Sequence, residues 1–228
     1  MRHLRICFIY GNRIVEKRIG IIMTNQKNFY VCVVKQNLYM PDITLLALMN
    51  TSLLRGLNFK YINSMGSVLT TNRSRTFEIL KHEIINNKED LKNTYALFID
   101  SDIVIQNTPY ELKEIFENAE KKKINIAGHY KKSDFTSTFL KKGTNDQNPQ
   151  YITALDEFND TTKRYINLSN YYFGLGFFYG KIQNYDYVFK MMDRKGEDVI
   201  FLEENKKLWK NTYLDKNIKL FHYKTILI

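Results

Sequence analysis

Two carboxylates spaced two apart, Asp100 and Asp102, follow the apolar run Leu97-Phe98-Ile99 and precede Ile103-Val104. A short continuous apolar run suits a strand covered on both faces, so residues 95–99 read as a buried strand with both acids where it runs out. Ligands of open α/β sheets collect at the carboxyl ends of strands. Ionised carboxylates there need a partner, because an unpaired buried charge is very costly. A divalent cation is one such partner, since hard cations take oxygen ligands and can bridge to phosphate. Two solvated turn aspartates are the other reading, and spacing alone does not separate them.

Three further stretches carry residues able to do chemistry. Thr70-Thr71-Asn72-Arg73-Ser74-Arg75 opens a helix predicted to run to about Asn86, with Thr71 or Asn72 as its cap. Phe77, Leu80 and Ile84 fall on one face of it. Arginines in a first turn oppose the helix dipole, so Arg73 and Arg75 are either ordinary surface residues or a grip for an anion. Gly196-Glu197-Asp198 precedes the apolar helix 199–202, for which Asp198 is a possible cap. His222 ends the last short strand, a place where a lone histidine is more often structural than a ligand.

The elements that must position these residues follow an alternating order. Residues 29–34, rich in β-branched and aromatic side chains, form a buried first strand. Asp42 caps a helix over 43–55, and Gly56 ends it. A second strand covers 57–62. After the central strand, Thr108-Pro109-Tyr110-Glu111 combines a threonine cap, a proline at the first helical position and a Glu three residues after the cap. Residues 124–127 form the fourth strand. The order β-α-β-α-β-α-β implies a parallel sheet layered with helices. Residues 131–163 are polar and turn-rich and read as a loop or hairpin insertion. Residues 171–180 form an aromatic strand in which glycine allows close approach of a ligand or another backbone. Residues 185–192 read as a helix, and residues 213–215 and 218–221 as short closing strands.

Composition bounds the remaining classes. With 228 residues and 44% hydrophobic content the chain can bury the core of one large domain. A formal charge of +10 favours anionic partners. Cys7 and Cys32 lack metal or disulfide spacing and read as small core residues in a reducing compartment. No apolar run reaches the length of a membrane span, and the apolar stretch 6–10 is too short for a signal peptide. A cytoplasmic location follows as the expectation (host cytoplasm for a viral chain). Residues 1–26 stand apart as a basic extension ahead of a single domain over 27–228, either an extra strand or tail or a stretch before a translation start at Met23.

Taken in order, Asn72-Arg73-Ser74-Arg75, Phe98-Ile99-Asp100-Ser101-Asp102, Gly174-Leu175-Gly176-Phe177-Phe178, Gly196-Glu197-Asp198 and Leu220-Phe221-His222 resemble the marks of GT-A nucleotide-sugar glycosyltransferases. The likeness is to the short family 2-like domains of bacteria and large DNA viruses, and it spans residues 29–224. It implies an α/β, Rossmann-like GT-A fold: a mixed, mostly parallel sheet flanked by helices. It implies Mn²⁺ or Mg²⁺ as cofactor, with Asp102 and His222 as ligands and Asp100 on the metal or the donor ribose. An imidazole beside carboxylates favours Mn²⁺. Arg73, Arg75 and Lys224 would support the donor diphosphate, and Lys35 would lie near the nucleotide base. Asp198 would be the general base of a single, inverting displacement, with Glu197 second to it. The implied partners are a nucleoside-diphosphate sugar, UDP being the commoner family choice over GDP, and a glycan or other hydroxyl acceptor. Lys35-Gln36-Asn37 stands where many relatives carry Pro-Thr, which leaves the base identity open.

Two other classes compete. A nucleotidyltransferase of similar fold needs a glycine-rich triphosphate loop after its first strand, and residues 35–42 contain no glycine. A basic nucleic-acid-binding protein would fit the charge, but no nucleic-acid motif is present, so no nucleic-acid partner is expected.

Overall fold

The computed structural model describes residues 3–10, 13–20, 27–35, 40–65, 69–91, 93–130, 139–141, 162–182 and 197–222. In the N-terminal extension, β1 (His3–Tyr10) and β2 (Arg13–Gly20) pair antiparallel with each other. The domain then runs β3 (Asn28–Lys35), α1 (Asp42–Leu54), β4 (Asn58–Met65), α2 (Leu69–Asn86), β5 (Tyr95–Asp100), β6 (Ile103–Ile105), α3 (Pro109–Lys122) and β7 (Asn125–Ala127). It continues with β8 (Phe139–Lys141), β9 (Tyr165–Asn167), β10 (Tyr171–Phe173), β11 (Phe177–Lys181), α4 (Glu197–Glu204), α5 (Lys206–Lys210), β12 (Thr212–Asp215) and β13 (Leu220–His222).

Seven strands form the central sheet in the order β4-β3-β5-β11-β7-β12-β9. β3, β4 and β5 are parallel, as are β7 and β12. β11 runs against both β5 and β7, and β9 against β12. Five of the seven strands therefore point one way, as an α/β mixed, mostly parallel sheet requires. The expected run of adjacent parallel strands is interrupted at one place, where β11 returns between β5 and β7.

Helices cover both faces, which explains the unbroken apolar runs. Successive side chains of a strand point to opposite faces. Tyr30 and Cys32 of β3 share a core cluster with Phe77, Leu80 and Ile84 of α2. Phe29, Val31 and Val33 share the other with Leu48 of α1 and Leu112, Ile115 and Phe116 of α3. Cys32 is a buried free thiol whose pKa is pushed up by that burial.

Of the four helix starts read from the sequence, one matches the capping pattern and three shift. At α3, Thr108 Oγ1 accepts from Glu111 N, and Glu111 reaches back to Thr108 N, closing the capping box. At α1 the cap position is Pro41, so Asp42 lies inside the first turn and makes no side-chain cap. α2 starts at Leu69, which places Thr71 and Asn72 within its first turn instead of at the cap. α4 starts at Glu197, so Asp198 is likewise helical. At the end of α1, Gly56 has φ 63°; Gly56 N bonds Leu53 O and Leu57 N bonds Ser52 O, both at 3.0 Å. That pattern needs a residue tolerant of the left-handed region.

The stretch 171–180 is two strands: β10 leaves the sheet to pair with β8, and only β11 joins it. Most of the insertion 131–163, the predicted helix at 185–192, Gly196 and Lys224 lie outside the described residues. No helix among the described residues is long and apolar enough to cross a membrane.

Candidate active site

The chain turns from β3 to β4 on one side and then crosses to β5 on the other. The carboxyl ends of β3 and β5 thus form the point where strand order reverses, the place where such sheets receive ligands. Ser101 N bonds Val34 O at 3.0 Å and fixes the two ends together. Asp100 is the last residue of β5, and its N–H donates to Gly176 O at 3.0 Å.

Distant segments converge here. β13 pairs antiparallel with β6 and sets His222 opposite Ile103, beside Asp102. His222 Nε2 lies 3.1 Å from Asp102 Oδ2. α2 contributes Arg73, and the first turn of α4 contributes Glu197 and Asp198. The Arg73 side chain is only 4% exposed. Its Nη2 donates to the two oxygens of Asp100 at 3.2 and 3.1 Å, and its Nη1 donates to Glu197 Oε1 at 3.3 Å and to Asp198 Oδ1. One guanidinium thus serves three carboxylates, with Asp102 a fourth nearby.

The electrostatics follow from that ratio. Burial pushes Asp198 up to about 6, with Glu197 and Asp100 adding to the rise and Arg73 opposing it. Asp102 is also raised, first by burial and then by Asp100, while His222 opposes. Arg73 is held firmly charged by Asp198, Asp100 and Glu197 in spite of its burial.

Tyr130, just after β7, completes the cluster. Its ring stacks on His222 at 5.7 Å and 4°. A Cβ on Gly176 would lie 2.0 Å from the Tyr130 hydroxyl and 3.1 Å from Asp100 Oδ2. Glycine at 176 is what lets the phenol and the carboxylate close in. The Tyr130 hydroxyl is raised well above its ordinary pKa by burial and by Asp100 and Asp198, so it stays protonated.

No family model and no curated protein matches the chain. Among solved structures it is similar to the crystal structure of a glycosyltransferase involved in the glycosylation of the major capsid of PBCV-1. Identity is 7% and the TM-score 0.40, over 85% of this chain and 94% of that one.

Of the residues singled out from the sequence, the structure brings together Asp100, Asp102, Arg73, Asp198 and His222. Arg73, which the resemblance puts on the donor diphosphate, donates here to Asp100, Glu197 and Asp198. Arg75 is exposed on α2 and takes no part in this cluster among the described residues. Lys35 ends β3 at the same edge, but its side chain, like all of Lys224, lies outside what is described. Tyr130 was missed: it lies just past the carboxyl end of β7, while Asp100 is the last residue of β5, and strand-end logic extended by a few residues would have found it. Glu197, considered only as a lesser base, is an Arg73 partner.

Among the described residues no three His, Cys, Asp or Glu side chains lie close enough together to hold a metal ion. Asp100 is turned to Arg73, while Asp102 and His222 face each other. At 3.1 Å the two make an acid–imidazole contact, and a carboxylate oxygen beside an imidazole nitrogen is a donor set that divalent transition metals accept. His222 Nδ1 is buried and has no hydrogen-bond partner among the described residues. The surplus of carboxylates over cations favours a positive guest.

Proposed function

We propose that this chain is a metal-dependent GT-A glycosyltransferase that moves a sugar from a nucleoside-diphosphate sugar, UDP-linked first, to an acceptor hydroxyl with inversion. The observation that carries the reading is the acidic cluster at the strand-order reversal, in which one buried arginine is outnumbered by carboxylates and an aspartate faces a histidine. The sequence marks and this geometry support the same residues.

In the proposed reaction Asp198 is the base. Arg73 holds its Oδ1, which leaves Oδ2 to accept the acceptor's proton. As the acceptor oxygen bonds to the anomeric carbon, the bond from that carbon to the diphosphate oxygen breaks, and the nucleoside diphosphate leaves with the electron pair. A pKa of about 6 suits a base that works near neutral pH. Mn²⁺ or Mg²⁺ held by Asp102 and His222, with Asp100 on the metal or ribose, would neutralise the departing diphosphate. Arg73 acts through the acids, holding Asp100, Glu197 and Asp198 in register. Tyr130 orients the imidazole of His222 by stacking.

The test is a panel of UDP- and GDP-sugars incubated with the full chain and Mn²⁺, followed by assay of free nucleoside diphosphate. Release from at least one UDP-sugar, abolished by chelator, is expected. Release from none of the donors, with or without added sugar acceptors, overturns the proposal.

A further inference from the structure

At the opposite end of the sheet, where β3, β4 and β5 begin, lies a cavity of about 700 Å³. That size falls among small-molecule sites, roughly 300–1,000 Å³. Its floor is charge-matched. The Arg55 side chain is 5% exposed and meets Glu120 Oε1 at 2.5 Å. Arg55 also donates to the Tyr179 hydroxyl at 3.5 Å, and that hydroxyl donates to Glu120. The guanidinium lies over the rings of Phe29 and Phe116 at 5.4 and 5.9 Å. Arginine and glutamate cancel there, so the floor asks for no counter-ion.

The rim is not matched in the same way. Lys27, Lys60 and Lys88 reach the cavity from three different segments, and among the described residues none of them is in an ion pair. The two rim acids are each engaged by amides. Glu89 Oε1 accepts from Asn28 N at 3.1 Å and Asn28 Nδ2 at 2.6 Å, and Asp90 Oδ2 accepts from Asn93 Nδ2 at 2.7 Å. In the wall, the Tyr95 hydroxyl is buried without a hydrogen-bond partner among the described residues. Three unpaired cations suit a multiply charged anion, which lysine binds as a point charge. The carboxylates beside them suit hydroxyl donors, and they would repel a ligand that was anionic throughout.

We infer that this cavity binds a hydroxylated phosphate ester, a small sugar phosphate in chemical class. The three lysines hold the phosphate, and Glu89, Asp90 and the phenol of Tyr95 meet the hydroxyls. The inference stands apart from the transfer reaction, because the cavity lies at the other end of the strands and needs no metal.

Titration calorimetry of the full chain with glucose 1-phosphate in metal-free buffer tests it, with inorganic phosphate and glucose as separate probes. Saturable binding of the ester, at least tenfold tighter than of either probe, is expected. It weakens about tenfold or more in the Lys27→Gln/Lys60→Gln/Lys88→Gln triple variant and is unchanged in Asp102→Ala. Three results overturn it: no saturation, equal binding of a probe, or loss in Asp102→Ala with the lysine variant unaffected. The last would place the ester at the acidic site. The lysine substitutions are on the surface and neutral in size, and a thermal melt matching the parent confirms that the triple variant is folded.

Discussion

Each end of the central sheet carries a buried arginine, and the two are balanced differently. At the amino end Arg55 meets one carboxylate and one phenol, and two aromatic rings pack on its face. At the carboxyl end Arg73 meets three carboxylates, with Asp102 close by. A matched pair is a strut. An outnumbered cation leaves negative charge that raises the pKa values of its neighbours and draws a positive guest. The proposed chemistry goes with the outnumbered arginine, and four substitutions and a pH profile test that contrast.

The largest effect belongs to Asp198→Asn. Turnover should fall about 10²–10⁴-fold, with donor binding within twofold of the parent, as read by steady-state rates and nucleotide titration. Unchanged turnover would reject Asp198 as base. Next come the two arginines. Arg73→Met leaves three carboxylates around a vacated charge and should cost about 3–5 kcal/mol by denaturant unfolding. Arg55→Met strands only Glu120, whose side chain is 34% exposed, and should cost about 1–3 kcal/mol. Equal losses would erase the distinction between strut and cluster.

Gly176→Ala should cost about 1–3 kcal/mol, because its Cβ meets the Tyr130 hydroxyl. It should also weaken metal-dependent nucleotide binding by displacing the ring stacked on His222. A variant as stable as the parent that binds nucleotide normally would remove Tyr130 from the site. The smallest effect is in pH. Because the folded pKa of Asp198 is raised to about 6, the native state binds that proton more tightly than the unfolded chain does. Its contribution to stability is full below the ordinary aspartate value of about 3.9 and is lost as pH rises through about 6. Turnover runs the other way, since the base must be ionised, and should climb with a midpoint near pH 6. A midpoint near 4 in the rate profile would show that burial does not govern this carboxylate.

Local features of this chain were legible because local physics decides them. The apolar run of β5 and the Thr108–Glu111 capping box lie within a few residues of each other. α1 was harder, since its large apolar residues do not mark the buried face. Its small and polar side, Thr44, Ala47, Thr51 and Ser52, packs inward with Leu48, while Ile43, Leu46 and Leu53 face out. Periodicity turns the bulky apolar side inward, and here the small, hydroxyl-bearing side is the one that packs. The aromatic stretch 171–180 hid a break, because residues before and after Leu175-Gly176 favour strand equally; pairing with β8 on one side and β5 on the other splits them. In the site, the acids at the end of β5 could be read from strand position. The meeting of Asp102 with His222 could not, because it depends on β13 pairing with β6 across more than a hundred residues, and only the family resemblance pointed to it. Arg73 could be located but not its role, since nothing local says that three carboxylates from β5 and α4 will close on it.

The proposed function makes the acidic end of the sheet a metal-assisted nucleotide site. Titration calorimetry of UDP and GDP into the full chain, with and without Mn²⁺, tests it most directly. Saturable binding of one nucleoside diphosphate is expected only when Mn²⁺ is present, and is abolished in Asp102→Ala. Binding that ignores Mn²⁺, binding that survives Asp102→Ala, or no binding of either nucleotide under any metal condition would contradict it.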